Sequence, residues 1–202
     1  MKKVELLSPA GNMECLISAV QNGADAVYLG GKKFGARAFA NNFDGEEMIK
    51  AIKYCHLYGV KIYVTVNTLV YDSEMKEALE YVSFLHKNGV DALIVQDIGL
   101  IRKIRQTYPT LELHASTQCH NHSKDSVLEM KKLGVKRVVL ARELSLEEIK
   151  NIDVDIEKEV FVHGALCVSY SGCCLFSSMN GGRSGNRGEC TGCCRLPYKL
   201  IK

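Results

Sequence analysis

Asn22-Gly-Ala-Asp-Ala-Val-Tyr-Leu-Gly30 has three counterparts of the same build further along the chain: Tyr58-Gly-Val-Lys-Ile-Tyr-Val-Thr-Val-Asn67, Asn88-Gly-Val-Asp-Ala-Leu-Ile-Val-Gln96 and Leu133-Gly-Val-Lys-Arg-Val-Val-Leu-Ala-Arg142. In each, a glycine suited to a left-handed helix end precedes a run of apolar β-formers that closes on small or polar residues. An amphipathic stretch precedes each glycine, so helix and strand alternate, and that alternation makes a parallel sheet. Working outward, strands are expected at residues 4–8, 26–30, 61–67, 92–96, 111–116, 137–142 and 159–163. Between them Met75, Ala78, Leu79, Val82 and Leu85 recur at helical spacing, and Asp44 with Glu47 and Ser145 with Glu148 form capping pairs. Seven strands with no Gly-x-Gly-x-x-Gly after the first favour an α/β fold of the (β/α)8 barrel type over an open doubly wound sheet. The expected barrel is incomplete, because a full one takes about 250 residues. Residues 1–163 are assigned to the incomplete barrel, and residues 164–202 to a Cys/Gly/Arg-rich segment whose last residues, 199–202, can begin an eighth strand. An open parallel edge invites association, so a homo-oligomer or a missing C-terminal portion is expected.

Composition narrows the function classes. The chain has 202 residues, 47% hydrophobic and 24% charged, which is ordinary globular composition with enough length for a real core. The net charge of +3 does not itself argue for nucleic acid. The basic excess is local: Arg183, Arg187, Arg195, Lys199 and Lys202 stand against Glu189 in the final stretch. No apolar run reaches the roughly 18 residues a membrane span needs, and the start lacks a secretory apolar core, so the expected setting is the cytoplasm, away from membranes.

Six of the nine cysteines lie near the C-terminus: Cys167, Cys173, Cys174, Cys190, Cys193 and Cys194. In a reducing compartment such a group reads as ligands, not disulfides. Cys167, Cys174, Cys190 and Cys194 can hold one iron–sulfur cluster or one zinc. Cys15 and Cys55, inside helical patterns, read as small buried hydrophobes, with Cys119 at a strand end less defined.

Barrel chemistry sits where strands end, since the following loops converge there. Polar residues gather at those ends: Ser8, Asn67, Gln96, Asp97, Ser116, Thr117, Gln118, Arg142, Glu143 and His163. Arg142 with Glu143 can hold an anionic ligand, or pair and cap the helix that starts at Ser145. His114 shares one face of its strand with Glu112 and Ser116, turned either to the barrel interior or to the helices. As a buried histidine it is either structural or a substrate contact.

The run from Glu159 to Ser177, through His163, Gly164, Cys167, Gly172 and Cys174, resembles the signature of the peptidase U32 family, the collagenase-like proteins. So do Leu7-Ser-Pro-Ala-Gly11, Gly35-Ala-Arg37, the turn at Gln118, Leu140-Ala-Arg-Glu-Leu144 and the stretch from Asn186 through Cys190 to Arg195. The chain departs from the family at Phe176, at Gly192-Cys193 and at Cys173. The resemblance implies one of two chemistries. The family name implies proteolysis, but Gly-x-Ser-x-Gly and His-Glu-x-x-His are missing, and His163 near Cys167 is the candidate Cys–His pair. Other relatives imply oxygen-independent hydroxylation of RNA bases or a small aromatic, using a four-iron four-sulfur cluster and prephenate as oxygen donor.

On that second reading Cys167, Cys174 and Cys190 bind the cluster, with Cys194, Cys193 or a later residue as fourth ligand. Arg142, Arg183 and Arg187, with Asn67 and Gln96, bind substrate carboxylates or phosphates, and Tyr170 or Tyr198 stacks a base. His114, Gln118, Glu143 and His163 are then the candidate catalytic groups. A non-catalytic zinc-binding domain is the third alternative.

Overall fold

The computed structural model describes residues 4–38 and 40–200. Seven strands form one sheet in the order β1-β2-β3-β4-β5-β6-β7: Leu7–Pro9, Ala26–Gly30, Lys61–Val66, Ala92–Val95, Glu112–Ala115, Arg137–Val139 and Glu157–Glu159. Every neighbouring pair is parallel. The helices α1 (Met13–Gln21), α2 (Gly45–Leu57), α3 (Met75–Lys87), α4 (Ile98–Thr107), α5 (Lys124–Lys132) and α6 (Leu146–Asn151) alternate with them. This is the expected barrel-type α/β fold, a curled sheet of seven strands.

Local signals act as the sequence implied. Gly23, Gly59, Gly89 and Gly134, one per repeat, all have φ between +69° and +89°, the left-handed conformation that ends a helix and turns the chain into the next strand. Asp44 with Glu47 and Ser145 with Glu148 close reciprocal capping boxes at the starts of α2 and α6.

Side-chain alternation sorts the strands into two environments. Val27, Leu29, Ile62, Val64, Leu93, Val95, Leu113 and Val138 face the helices and pack with Leu16, Ile52, Leu85 and Ile104 into one large core. Each fully buried aliphatic of this kind contributes roughly 1.5–3 kcal/mol. Ala26, Tyr63, Ala92 and Ile94, with Leu7 and Tyr28, form a smaller cluster on the opposite face, inside the curl.

The rest of that interior is charged. Arg137 on β6 donates through Nη1 to Glu5 Oε1 at 2.6 Å, ahead of β1, and through Nε and Nη2 to Glu157 Oε2 on β7 at 3.0 and 2.8 Å. Its guanidinium also lies 5.3 Å from the Tyr63 ring centroid, and Tyr63 donates its hydroxyl to Glu5. Burial pushes the Glu5 carboxyl up, but the Arg137 hydrogen bond and charge outweigh it and hold the group below the usual range. Glu159, 3.6 Å from Arg137, goes the other way because burial dominates.

Three expectations need correction. The seventh strand is Glu157–Glu159, not residues 159–163; the apolar Val160, Phe161 and Val162 that suggested it are exposed, while the carboxylates of the true strand face Arg137. His163 therefore ends no strand and is exposed. Cys15 is exposed on α1, whereas Cys55 is buried as expected. Of the eighth-strand stretch, Lys199 and Leu200 lie outside any strand, and residues 201–202 fall outside the described residues.

Arg137→Met is expected to cost about 3–5 kcal/mol of unfolding free energy at neutral pH, because three carboxylates lose their shared partner inside the curl. The Glu5 pKa is depressed below its ordinary 4.5, so its contribution is complete above that value and is lost as pH falls through the folded-state pKa. Urea titrations at about pH 7 and about pH 4 should therefore show the gap between variant and wild type narrowing on acidification; a gap independent of pH would show that the ion pairs do not stabilise the fold.

Candidate functional site at the mouth of the barrel

The period of two that places Thr65, Ile94 and His114 on the inner face continues upward to Asn67, Gln96 and Ser116. These three are buried uncharged polar residues at the exits of β3, β4 and β5. Asn67 accepts from Ala36 N at 3.0 Å and donates to Ser116 Oγ at 3.1 Å, and Gln96 Nε2 donates to Gln118 O at 3.4 Å. The interior is thus ionic toward the strand starts and amide-lined toward the strand ends.

A strap from the C-terminal segment closes over the β5 and β6 exits. Ser171 is its anchor, 3% exposed. Its N donates to Glu143 Oε1 at 3.2 Å, its carbonyl accepts from His120 Nδ1 at 3.0 Å, and its Oγ accepts from Arg142 Nε and Nη2 at 3.2 Å and from Thr117 Oγ1 at 3.3 Å. Gly172 follows at φ +75°, where a Cβ would overlap Gln118 O. His120 and His122 lie ring to ring, centroids 4.2 Å apart, and both edges meet Tyr170 at 5.6 and 5.8 Å. His122 Nε2 stands 3.4 Å from Glu143 Oε2.

Further along, Arg187 is clamped by Glu74, with Nη2 to Oε1 at 2.6 Å, by Leu69 O at 2.7 Å and over the Tyr71 ring at 4.1 Å. Gly188 O accepts from Ala38 N at 3.0 Å, and a Cβ on Gly188 would overlap Gly35 O. The segment is therefore pinned to the barrel at two points.

This arrangement redistributes the expected roles. Asn67, Gln96, Gln118, Arg142, Glu143 and Tyr170 do come together at the mouth. Arg187 is taken up by Glu74, which corrects its assignment to substrate. Arg183 N donates to Ser177 O at 3.3 Å, away from the strap. Of the two expected readings of His114 the structure takes the structural one: wholly buried, it bonds Glu112 Oε1 at 2.9 Å and packs at a steep angle to Tyr63 in the ionic interior below the mouth, which removes it from the candidate catalytic groups. Burial pulls its imidazole pKa down against the pull of Glu112. His120, Asn121, His122 and Ser171 were missed, although His120-Asn-His122 follows Gln118 two residues on and is the densest polar run at any strand exit.

The cysteines do not converge as their spacing suggested. Cys190 and Cys193 both contact Ser177 Oγ, at 3.8 and 3.7 Å, and Cys193 is buried while Cys194 beside it is exposed. Burial works against the Cys193 thiolate, yet hydrogen bonds from Ser177 and Thr191 bring its pKa below that of an ordinary thiol. Cys167 is exposed, and Cys173 Sγ lies 3.7 Å from His120 Nδ1. Among the described residues no three His, Cys, Asp or Glu side chains are placed to hold one metal ion. The set Cys167, Cys174, Cys190 and Cys194 does not fit a shared centre in this arrangement.

A parallel barrel-type sheet with its polar cluster where the strands end defines an enzyme-type α/β barrel protein. The chain belongs to peptidase family U32, whose model matches residues 11–202. It is 45% identical over 200 residues to the 23S rRNA 5-hydroxycytidine C2501 synthase of Escherichia coli, covering 98% of this chain and 30% of that protein. It is 43% identical over 203 residues to tRNA hydroxylation protein P1 of Bacillus subtilis, covering 100% and 48%. Identity to a collagenase of Porphyromonas gingivalis is 34% over 210 residues, covering 97% and 50%. The solved structure of the U32 peptidase Mk0906 superposes with a TM-score of 0.67 at 16% identity, covering 78% of this chain and 68% of that one, a likeness of fold. The chain spans half or less of the length of these curated relatives.

Gly172→Ala is expected to lift the strap, since the new methyl meets the Gln118 carbonyl at a φ that side chains rarely adopt, a local cost of about 1–3 kcal/mol. Hydrogen exchange should speed up at residues 171–173 with β3 to β5 unchanged; uniform acceleration would mean that the strap and the barrel open together.

Proposed function

We propose that this protein acts in RNA modification, hydroxylating a base of tRNA or rRNA at the mouth of the barrel. The observation that carries this reading is 45% identity over 98% of the chain to an rRNA hydroxycytidine synthase, supported by 43% identity to a tRNA hydroxylation protein. The site is compatible with it. Uncharged amides suit a neutral heterocycle better than the carboxylates of an acid–base hydrolase, and Tyr170 offers an exposed ring beside them. A cytoplasmic setting and an RNA partner belong to this proposal, and no helix among the described residues is long and apolar enough to cross a membrane.

Proteolysis is the weaker reading on these residues. His163 and Cys167 are both exposed and no contact joins them. His120 meets Cys173, but the same nitrogen donates to Ser171 O, so in that state it cannot take the thiol proton. Cys119 is held near the carbonyls of Val95 and Gln96, and burial pushes its thiol up to about 12, far from a nucleophile at neutral pH.

A four-iron four-sulfur cluster remains the redox group that the family resemblance implies; zinc, which has no redox chemistry, is the alternative metal and would go with a non-catalytic domain. Because the thiols as placed do not enclose a metal, no step is assigned to either. The protein's own contribution is to hold the base, to exclude water beneath the strap and to orient Glu143 and His122 at its edge.

Nucleosides from tRNA and rRNA of cells with and without the gene, compared by mass spectrometry, should differ by the loss of one hydroxylated base. An unchanged nucleoside profile, together with gelatin cleavage by the purified protein, would replace this function with the peptidase one. Iron and zinc measured on protein purified without oxygen report on the metal independently of activity.

A further inference from the structure

Nine buried side-chain nitrogen and oxygen atoms among the described residues lack a hydrogen-bond partner, and five of them fall at the exits of β4 and β5. They are Gln96 Oε1, Gln118 Oε1, both amide atoms of Asn121, and His122 Nε2, which makes no hydrogen bond although Glu143 Oε2 stands 3.4 Å from it. Buried polar groups are nearly always paired, so five in one place require a reason. Asn121 has 0% exposed surface and Gln96 7%. Gln118 and His122 are half-buried beside them, so the two fully enclosed amides, Gln96 and Asn121, are the ones that cannot be solvated surface groups.

The geometry of the groups points to their ligand. A carboxamide unpaired at both atoms presents a donor and an acceptor side by side, the pattern complementary to one edge of a nucleobase. A peptide bond carries its donor and acceptor on opposite sides and matches such an amide less well. Next to these groups Tyr170, 61% exposed, packs at a steep angle to His120 and His122, and its exposed ring is placed to stack a base drawn out of its own stack. Above them runs the strap, held by Ser171 through hydrogen bonds and by Gly172 packed on the Gln118 backbone.

We propose that Gln96, Gln118, Asn121 and His122 form a reading pocket for the edge of an extruded nucleobase, with Tyr170 as its stacking face and the Ser171–Gly172 strap as the element that moves aside to admit it. This rests on the RNA reading of the same site and assigns its recognition residues. The pocket reads the base, whereas phosphate contacts only position the strand.

The test is fluorescence anisotropy with the purified protein and labelled single-stranded RNAs of about twelve nucleotides, long enough to span one binding site. The probes are oligocytidine, oligouridine, oligoadenosine and a base-free ribose-phosphate chain of equal length. Wild type should bind at least one base-bearing RNA about tenfold more tightly than the base-free chain, the scale of one stacked base. Asn121→Leu, Gln96→Met and Tyr170→Ala should each erase most of that preference and leave base-free affinity unchanged. Asn121→Leu should not lower the melting temperature, because it removes two polar atoms that lack partners; a merely structural asparagine would give a clear drop. Tyr170→Ala, at an exposed position, keeps the test open if a buried variant fails to fold. Retained base preference in these variants overturns the pocket while leaving the RNA reading in place. Equal binding of all four probes by wild type also overturns the pocket. Failure of wild type to bind any RNA, with binding of a gelatin peptide, overturns both.

Discussion

One guanidinium sets the shape on which the rest depends. Arg137, on the sixth strand, reaches Glu5 ahead of the first strand and Glu157 on the seventh, so residues at the two ends of the sheet are joined through its interior. A sheet of seven strands whose ends do not pair has no backbone ladder to fix its curl. A forked, permanently charged side chain supplies that constraint with direction as well as attraction. Buried ion pairs often add little net stability, because desolvation offsets their attraction, whereas removing one partner leaves the other charges buried alone and costs several kcal/mol.

That choice partitions the interior. With carboxylates, Arg137, Lys61 and His114 concentrated near the strand starts, the strand ends carry Asn67, Gln96 and Ser116, which are polar without charge. A ligand at the mouth therefore meets amides and hydroxyls, with the fixed charge of Arg142 and Glu143 held at the rim by the strap. Two anchors, Ser171 over the fifth and sixth strand exits and Arg187 on Glu74, hold the C-terminal segment across this mouth. Six of the cysteines sit on the same segment.

The strand-helix order was legible because two local signals agreed at each repeat. The residues 26–30 matched their strand from end to end, and the glycine before each repeat strand took the left-handed turn its position implied. The seventh strand was misplaced by the same logic. Its inward residues are glutamates made acceptable by a partner more than a dozen residues upstream, and hydrophobic periodicity cannot register a charge neutralised from another strand. Asn67, Gln96, Gln118, Arg142 and Glu143 were legible from polar strand ends. His120, Asn121, His122 and Ser171 were not, because they acquire meaning only when a distant strap folds onto them.

By itself, then, the sequence determined the fold class, the number of strands and the ring of polar residues at their ends, since period, turn chemistry and capping act within a few residues of one another. It could not determine which side chains meet. Arg187 looked like a substrate cation and is bound to Glu74, His114 could have been structural or a substrate contact and lies bonded beneath the mouth, and Cys193, not Cys194, turns inward beside Cys190. Each of these outcomes depends on the direction of a side chain relative to a partner far away in the chain, and only the folded arrangement brings those partners within range.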